Sequence, residues 1–135
     1  MAVNTKTEYA LRALIEIAHQ GQVSAQKICE AQRLPKKYVE YLLSLLKAAD
    51  LINSTAGIMG GYSLAKEAEE ITFKSLLEAV KDESFATACQ QRKGKFCIGH
   101  GCTLAPFFTK LEGQLNEIFE SYTLQDIINI WERKV

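Results

Sequence analysis

Three of the four cysteines fall within fourteen residues, and their type and spacing suit metal or redox chemistry better than any other side chains of the chain. Seven residues separate Cys89 from Cys97, and four separate Cys97 from Cys102. Thiolates are the usual ligands of iron–sulfur clusters, and the three glycines among these cysteines would let backbone amides approach the sulfides. The pattern therefore favours an iron–sulfur cluster, of the [2Fe-2S] or the [4Fe-4S] type.

Other uses of the three cysteines stay open. A zinc site is disfavoured because the chain has no Cys-x-x-Cys pair, whereas a thiol or disulfide sensor without a cluster is the stronger alternative. Three thiolates leave one coordination position open, and His100, between the second and third cysteines, is one candidate for it. Cys29 stands apart in a helical pattern and is expected to be a small buried apolar residue.

The composition is that of an ordinary globular protein, with 47% hydrophobic and 24% charged residues in a chain of 135, enough for one domain and an appendage. Sixteen basic and sixteen acidic residues cancel, which argues against non-specific binding of nucleic acid. Residues 1–67 have 8 basic and 6 acidic side chains, and residues 68–135 have 8 and 10, so the halves carry +2 and −2. This mild asymmetry permits DNA binding without indicating it.

The sequence also predicts the compartment. No apolar run is long enough to span a membrane, and no apolar signal segment follows Met1, so a cytoplasmic protein is expected. Disulfides are rare in that reducing compartment, which argues against a structural role for the cysteines. The chain carries no nucleotide or cofactor motif of the kind that enzymes use, so an enzyme is not expected.

The elements that must position the cysteines begin with two helices. Thr5 and Glu8 form a capping-box pattern at the start of the first helix, and apolar residues follow at helical spacing until Gly21 ends it. Ser24 is expected to cap a short second helix, over residues 25–32.

A third helix and a hairpin follow. A tight turn at residues 33–34 places Pro35 at the first position of the third helix, which extends to about Ala49. Residues 51–55 and 62–64 have the character of strands on either side of a glycine-rich turn. A helix-turn-helix followed at once by a β-hairpin is a winged helix, so the predicted fold is mainly α with a small β-hairpin.

The second half supplies the remaining helices. Thr72 is expected to cap a helix over residues 73–81, and Thr123 a last helix that extends through Trp131. Between them, apolar residues recur with the 3.5-residue period of a coiled coil, which predicts a helix that needs a partner, most simply its own copy. Those residues are Leu104, Phe108, Leu111, Leu115, Ile118 and Tyr122.

The expected organisation therefore has three parts. Residues 1–81 form a winged helix-turn-helix DNA-binding domain, residues 82–102 a cysteine-bearing cluster loop, and residues 103–135 a dimerisation helix with a C-terminal helix.

Several segments together carry a family resemblance over nearly the whole chain. They are residues 7–14, 38–43, 60–65 and 123–127, together with the three cysteines. In these segments the chain resembles the iron–sulfur and stress-responsive winged-helix repressors that include IscR, NsrR and RirA. The resemblance implies a homodimer that binds a pseudo-palindromic operator in double-stranded DNA, with a cluster that senses iron–sulfur status, nitric oxide or redox state.

The resemblance also bears on individual ligands. Some members use an acidic residue at the position of Glu8, donated by the other subunit, so Glu8 is a candidate fourth ligand. The residues alone give Glu8 two structural roles, the capping box and an i,i+4 pair with Arg12. IscR-like members place a histidine where this chain has Ala105, and many members carry a wing arginine where it has Ala56.

The candidate DNA contacts lie on the third helix and the wing. Cations at the start of the third helix would meet phosphates, and polar side chains on its outward face would meet base edges. The resemblance gives Glu40 a discriminating role, because a glutamate can accept from a cytosine amine. The full candidate set is Arg33, Lys36, Lys37, Tyr38, Glu40, Tyr41 and Ser44 around the helix, with Ser54 and Thr55 in the wing.

Overall fold

The computed structural model describes residues 4–85 and 103–132. Within these ranges the chain forms six α-helices, a short 3-10 helix and one two-stranded antiparallel sheet. This architecture confirms the predicted class, mainly α with a small β-hairpin. In chain order the elements are α1 (Thr5–Gln20), α2 (Ala25–Gln32), α3 (Lys36–Ala48), β1 (Ile52–Thr55), β2 (Gly61–Leu64), the 3-10 helix (Ala68–Glu70), α4 (Phe73–Ala79), α5 (Ala105–Ser121) and α6 (Leu124–Glu132).

The core lies where α1, α2 and α3 meet. Leu14 and Ile17 of α1 are completely buried, as are the four apolar residues of α3 at helical spacing that face them. Removing side chains of this size from water stabilises the fold by about 1.5–3 kcal/mol each. The pattern that fixes the inward face of α3 thereby also fixes which of its residues face solvent.

The predicted cap of α1 is wrong by one residue. Asn4, not Thr5, is the N-cap, because its side-chain oxygen accepts a hydrogen bond of 2.7 Å from the backbone N–H of Lys6. Thr5 is therefore the first helical residue, and Glu8 is released from the capping box. Gly21 ends the helix at a φ of 76°, as predicted.

The caps of the next two helices agree more closely with prediction. Ser24 caps α2 by accepting a bond of 3.2 Å from the backbone N–H of Lys27. Pro35 precedes α3 as its N-cap residue instead of occupying the first helical position, a shift of one residue that keeps its ring outside the hydrogen-bonded turns.

The wing comprises β1, β2 and the turn between them. Ile52 pairs with Leu64 at the buried end of the hairpin and Thr55 with Gly61 at the outer end. Val23, which precedes α2, forms an antiparallel β-bridge with the hairpin. Its backbone exchanges two hydrogen bonds with Tyr62, of 3.0 and 2.7 Å. A Cβ on Gly61 would lie 2.7 Å from the Val23 carbonyl oxygen, so this close approach requires glycine.

The C-terminal helix returns to the N-terminal half of the chain. Thr72 and Thr123 cap α4 and α6 as predicted, although α4 ends at Ala79, two residues before the predicted end. Leu124 and Ile128 of α6 are buried in the core formed by the first three helices.

Helix α5 leaves one face open. Its contact with α4 includes Phe119 against Phe73, 5.7 Å between ring centroids, and a 3.0 Å ion pair between Lys74 and Glu120. None of its side chains is buried, and Phe107, Leu111 and Ile118 are exposed on it, as are Leu104 and Tyr122, which flank the helix. No helix within residues 4–85 and 103–132 is both long and apolar enough to cross a bilayer.

Candidate nucleic-acid interface

The start of α3 presents cations to solvent. Lys36 and Lys37 are exposed, and Pro35 provides no side-chain cap for the first amides of the helix. Free amides and lysines at a helix N-terminus favour phosphate oxygens. Val39 and Leu43 anchor the opposite face in the core, so α3 holds these groups in a fixed orientation.

Arg33 makes the turn between α2 and α3. Its φ of 55° and ψ of 49° lie in the left-handed region, where a non-glycine residue carries a strain of about 1–3 kcal/mol. The N–H groups of Arg33 and Leu34 both donate to the Cys29 carbonyl, and the Leu34 side chain is buried, which holds the turn. The exposed Arg33 side chain thus lies beside the lysines at the start of α3.

Cys29 behaves as the predicted buried apolar residue. Its side chain lies in the core cluster, and burial raises the pKa of its thiol, with the Glu40 carboxylate adding to the effect. A protonated, buried thiol is a poor metal ligand and a poor nucleophile. Its role is therefore packing beneath the helix-turn-helix.

Two tyrosines of α3 have different environments. Tyr38 was expected on the outside but is half-buried, because its ring meets Tyr9 of α1 edge-on, with centroids 5.6 Å apart. This burial raises the pKa of the Tyr38 phenol. Tyr41 stacks on Tyr38 at 6.3 Å and stays exposed, so its ring is the better placed of the two to meet a base edge.

The remaining candidates on α3 are polar and exposed. Glu40 is exposed one residue before Tyr41, as expected. The Ser44 hydroxyl donates to the Tyr41 carbonyl oxygen at 2.5 Å, so its proton is already used within the helix and its oxygen remains available as an acceptor.

In the wing, Ser54 and Thr55 are exposed on β1, as expected of contact residues. The most exposed side chains of the wing are the apolar pair Ile58 and Met59 at its tip. From the sequence this pair was expected only to form part of a turn. The sequence feature that could have identified the pair is that two large apolar residues stand between glycines, where turn residues are usually polar.

Of the predicted cluster ligands, the described ranges contain only Glu8. Cys89, Cys97, Cys102 and the alternative His100 lie outside the described residues. Within the described ranges no three histidine, cysteine or acidic side chains come together as a metal site. Glu8 projects from the first turn of α1 with its side chain 64% exposed, so its carboxylate is accessible to a metal held by other residues.

Arg12 connects Glu8 to the helix-turn-helix. One guanidinium nitrogen lies 4.0 Å from the Glu8 carboxylate, which confirms the predicted i,i+4 pair. The same guanidinium donates to the backbone carbonyl of Gln32, at the end of α2, and to the Gln32 side-chain oxygen at 3.3 Å. Nothing in the local sequence pattern indicated the contact with Gln32, which is twenty residues away along the chain.

Asp82 holds the start of the predicted cysteine-bearing loop against α1. Its carboxylate accepts bonds from the Thr7 hydroxyl at 2.5 Å and from the Asn4 backbone N–H at 3.3 Å. Burial raises the pKa of Asp82, whereas hydrogen bonds from Ser84, Thr7 and Asn4 lower it. The hydrogen bonds have the larger combined effect, so the pKa lies below its ordinary value. The loop predicted to carry the cluster thus begins beside the turn of α1 that bears Glu8.

Comparison with known proteins agrees with this architecture. The family model Rrf2, described as an iron-dependent transcriptional regulator, matches residues 3–130. The HTH-type transcriptional regulator IscR of Photorhabdus laumondii is 32% identical over 133 residues, 96% of this chain and 80% of that protein. The structure of T. potens IscR has a TM-score of 0.74 at 27% identity and covers 99% of this chain and 90% of that chain.

A second structural likeness concerns the fold alone. CymR, the global cysteine regulator of B. subtilis, has a TM-score of 0.75 at 24% identity, over 96% of this chain and 98% of that chain. The relatives are named as transcriptional regulators, which are not enzymes, and the predicted family is confirmed. The chain belongs to the Rrf2 family of winged-helix transcriptional regulators.

Proposed function

We propose that this chain is a homodimeric repressor that binds a pseudo-palindromic operator under the control of an iron–sulfur cluster. The observation that carries the DNA-binding part is the exposed face of α3, on which Lys36 and Lys37 flank uncapped amides while the opposite face is fixed in the core. This is the geometry with which a recognition helix enters the major groove. Arg33 and the lysines meet phosphates, and Glu40, Tyr41 and Ser44 meet base edges.

The lysine assignment predicts how binding depends on salt. A duplex is first selected from a random pool by the wild-type protein. We expect Lys36→Ala with Lys37→Ala to weaken binding to it and to reduce the salt slope by about 0.9 for each phosphate that is no longer neutralised. The matched control is Lys110→Ala, which removes an exposed lysine from α5. Equal slopes for the double variant and the control would show that α3 is not the recognition helix.

The sensor part of the proposal rests on the cysteine spacing and on the family. Cys89, Cys97 and Cys102 would hold the cluster, and Glu8 of the partner subunit would supply the fourth ligand. The exposed Glu8 carboxylate supports this assignment, because it is accessible from outside its own subunit. When bound, an iron–sulfur cluster supplies sensitivity to iron supply, nitric oxide and oxidation.

The protein's own contacts provide a route to the DNA. A Glu8 carboxylate engaged by the partner subunit would alter its pairing with Arg12, whose guanidinium holds the end of α2 at Gln32. Arg33 follows Gln32 directly along the chain, and α3 begins three residues later. A change at Glu8 therefore biases the angle at which α3 is presented, provided that the cluster favours one dimer geometry.

The cluster is tested by anaerobic purification, with absorbance, iron and acid-labile sulfide measured on the wild type, Cys97→Ala and the control Cys29→Ala. We expect visible charge-transfer bands with stoichiometric iron and sulfide in the wild type and the control, and none in Cys97→Ala. Colourless, iron-free wild-type protein after reconstitution would instead favour a cluster-free regulator that responds through its thiols. The fold shared with CymR, a cysteine regulator, is compatible with that alternative.

A further inference from the structure

The tip of the wing is the most exposed apolar feature of the described chain. Ile58 is fully exposed and Met59 is 88% exposed, whereas the other exposed large apolar side chains within residues 4–85 and 103–132 reach at most 57%. Leaving two such side chains in water forgoes the free energy of burying them. A pair this exposed at the end of a hairpin indicates a surface that a partner covers.

The backbone beneath these side chains is held in place. The side-chain amide of Gln22 donates to the Met59 carbonyl at 2.7 Å, and the Gly60 N–H donates to the Gly57 carbonyl at 3.0 Å. A Cβ on Gly60 would lie 2.0 Å from the Thr55 carbonyl oxygen, so the turn closes tightly because that residue is glycine. The pair is therefore presented by an ordered turn, which reduces the entropy lost on binding.

The charges around the tip favour DNA as its partner. Residues 53–65 contain no charged side chain, so the wing has no carboxylate to repel phosphate and no cation to attract it. Lys27, in the first turn of α2, lines the same surface cavity of about 390 Å³ as Ile58 and Met59. An apolar tip beside an exposed lysine matches a minor groove bordered by phosphates.

We propose that Ile58 and Met59 form an apolar wedge that enters the minor groove and partly unstacks a pyrimidine–purine step, with Lys27 on the adjacent phosphate. Isoleucine and methionine are among the side chains that intercalate in this way, and pyrimidine–purine steps kink most easily. The inference rests on the proposed DNA-binding function. The wing packs against α3 through β1. Two side chains, by contrast, fall far short of the ~1,200 Å² that a stable protein interface buries.

The test uses the full-length protein and a duplex selected by the wild type from a random pool. The duplex carries 2-aminopurine in place of the adenine at each candidate step, and dyes at both ends report its bend. Wild-type protein is expected to raise 2-aminopurine fluorescence at one step per half-site and to shorten the end-to-end distance. The double variant Ile58→Ser with Met59→Ser should lose both signals and bind about tenfold or more weakly, with an unchanged salt slope.

Two further variants make the result specific. Ile130→Ser, which removes an exposed apolar side chain from α6, should match the wild type in every readout. Ile58→Arg should steepen the salt slope by about 0.9 per subunit while abolishing the unstacking signal. All variants change fully exposed or half-exposed positions, and circular dichroism checks that their helix content is unchanged.

The outcomes separate this inference from the function on which it rests. If the wild type selects no duplex from the pool, the proposed DNA-binding function fails. If it selects one and the double serine variant binds and bends it equally well, the wedge is overturned. Equal DNA binding combined with loss of higher oligomers in sedimentation would place a second copy on the wing tip, and that also overturns the wedge.

Discussion

At the scale of single residues, Asp82 joins the end of α4 to the first turn of α1. Its carboxylate accepts hydrogen bonds from Thr7 and Asn4, which lie at the start of the chain, and from Ser84, which lies two residues beyond it. Thr7 is completely buried, so its hydroxyl has no access to water as an alternative partner. Loss of the carboxylate therefore leaves a buried donor with a weaker acceptor.

We expect Asp82→Asn to lower the free energy of unfolding by about 1.5 kcal/mol near neutral pH. The folded-state pKa lies below the ordinary value of 3.8, so this stabilisation is present above that value and is lost as the pH falls through the folded pKa. Urea unfolding at about pH 7 and about pH 3 measures it, and the difference between wild type and variant should shrink at the lower pH. A pH-independent difference, or an equal loss in the exposed control Glu69→Gln, would show that the charge of Asp82 has no such role.

Residue-level prediction succeeded where the signal was local. Ser24 and Thr72 were identified as caps because a cap needs only its own side chain and an amide three residues ahead. Asn4 was missed because Asn4 and Thr5 both qualify and only the backbone angles decide between them. The half-burial of Tyr38 depends on Tyr9, which lies on another helix, and helical periodicity cannot indicate such a contact.

At the scale of elements, α5 has one apolar face that nothing within the described ranges covers. Exposed apolar side chains recur every seven residues at Leu104, the residue that precedes the helix, and at Leu111 and Ile118 within it, the spacing of a helix that pairs with another along its length. An isolated helix of this length is marginal in water, so pairing would also stabilise the helix itself. The period predicted the helix and the exposure of Leu104, Leu111, Ile118 and Tyr122, whereas Phe108 and Leu115 of the predicted seam are half-buried. The dimer remains a proposal.

We expect Ile118→Lys to raise the dimer dissociation constant by about a hundredfold or more, because the dimer would bury two unpaired charges on one seam. Sedimentation equilibrium over a range of concentrations measures this constant. Thr109→Lys is the matched control, since it adds the same charge on the side of α5 away from the exposed apolar face. If both variants keep the mass of the wild type, the dimer forms through another surface.

The order and ends of the helices were largely predictable, whereas their packing partners were not. Periodicity and caps predicted the start of α6 at Thr123, but nothing in its sequence showed that Leu124 and Ile128 join the core formed by α1 to α3. Such a long-range choice depends on which apolar surface the rest of the chain leaves open. The sequence accordingly predicted which side chains of α3 and the wing are exposed better than it predicted the contacts between helices.

At the scale of the whole molecule, the proposed sensor must be connected to the proposed DNA-binding surface. Arg12 lies between Glu8, the proposed ligand, and Gln32, the last residue of α2. Gln32 is also held by Glu16, whose carboxylate accepts from its side-chain amide at 3.0 Å. Gln32 is therefore held by two contacts. The contact with Arg12 connects it to Glu8, and the contact with Glu16 does not involve Glu8.

This arrangement predicts that Arg12→Ala uncouples DNA binding from the cluster without removing the cluster. The wild type should bind its selected duplex with dissociation constants that differ between cluster-loaded and cluster-free protein by about fivefold or more. In Arg12→Ala that ratio should approach one while iron and sulfide contents stay at wild-type levels, because Arg12 is not among the proposed ligands. Glu16→Ala removes the second contact of Gln32 and an exposed hydrogen bond from Gln20, leaves Arg12 in place, and should keep the ratio. An Arg12→Ala protein that retains the full ratio would mean that the signal reaches α3 by another path, such as a change in the angle between the two subunits at α5.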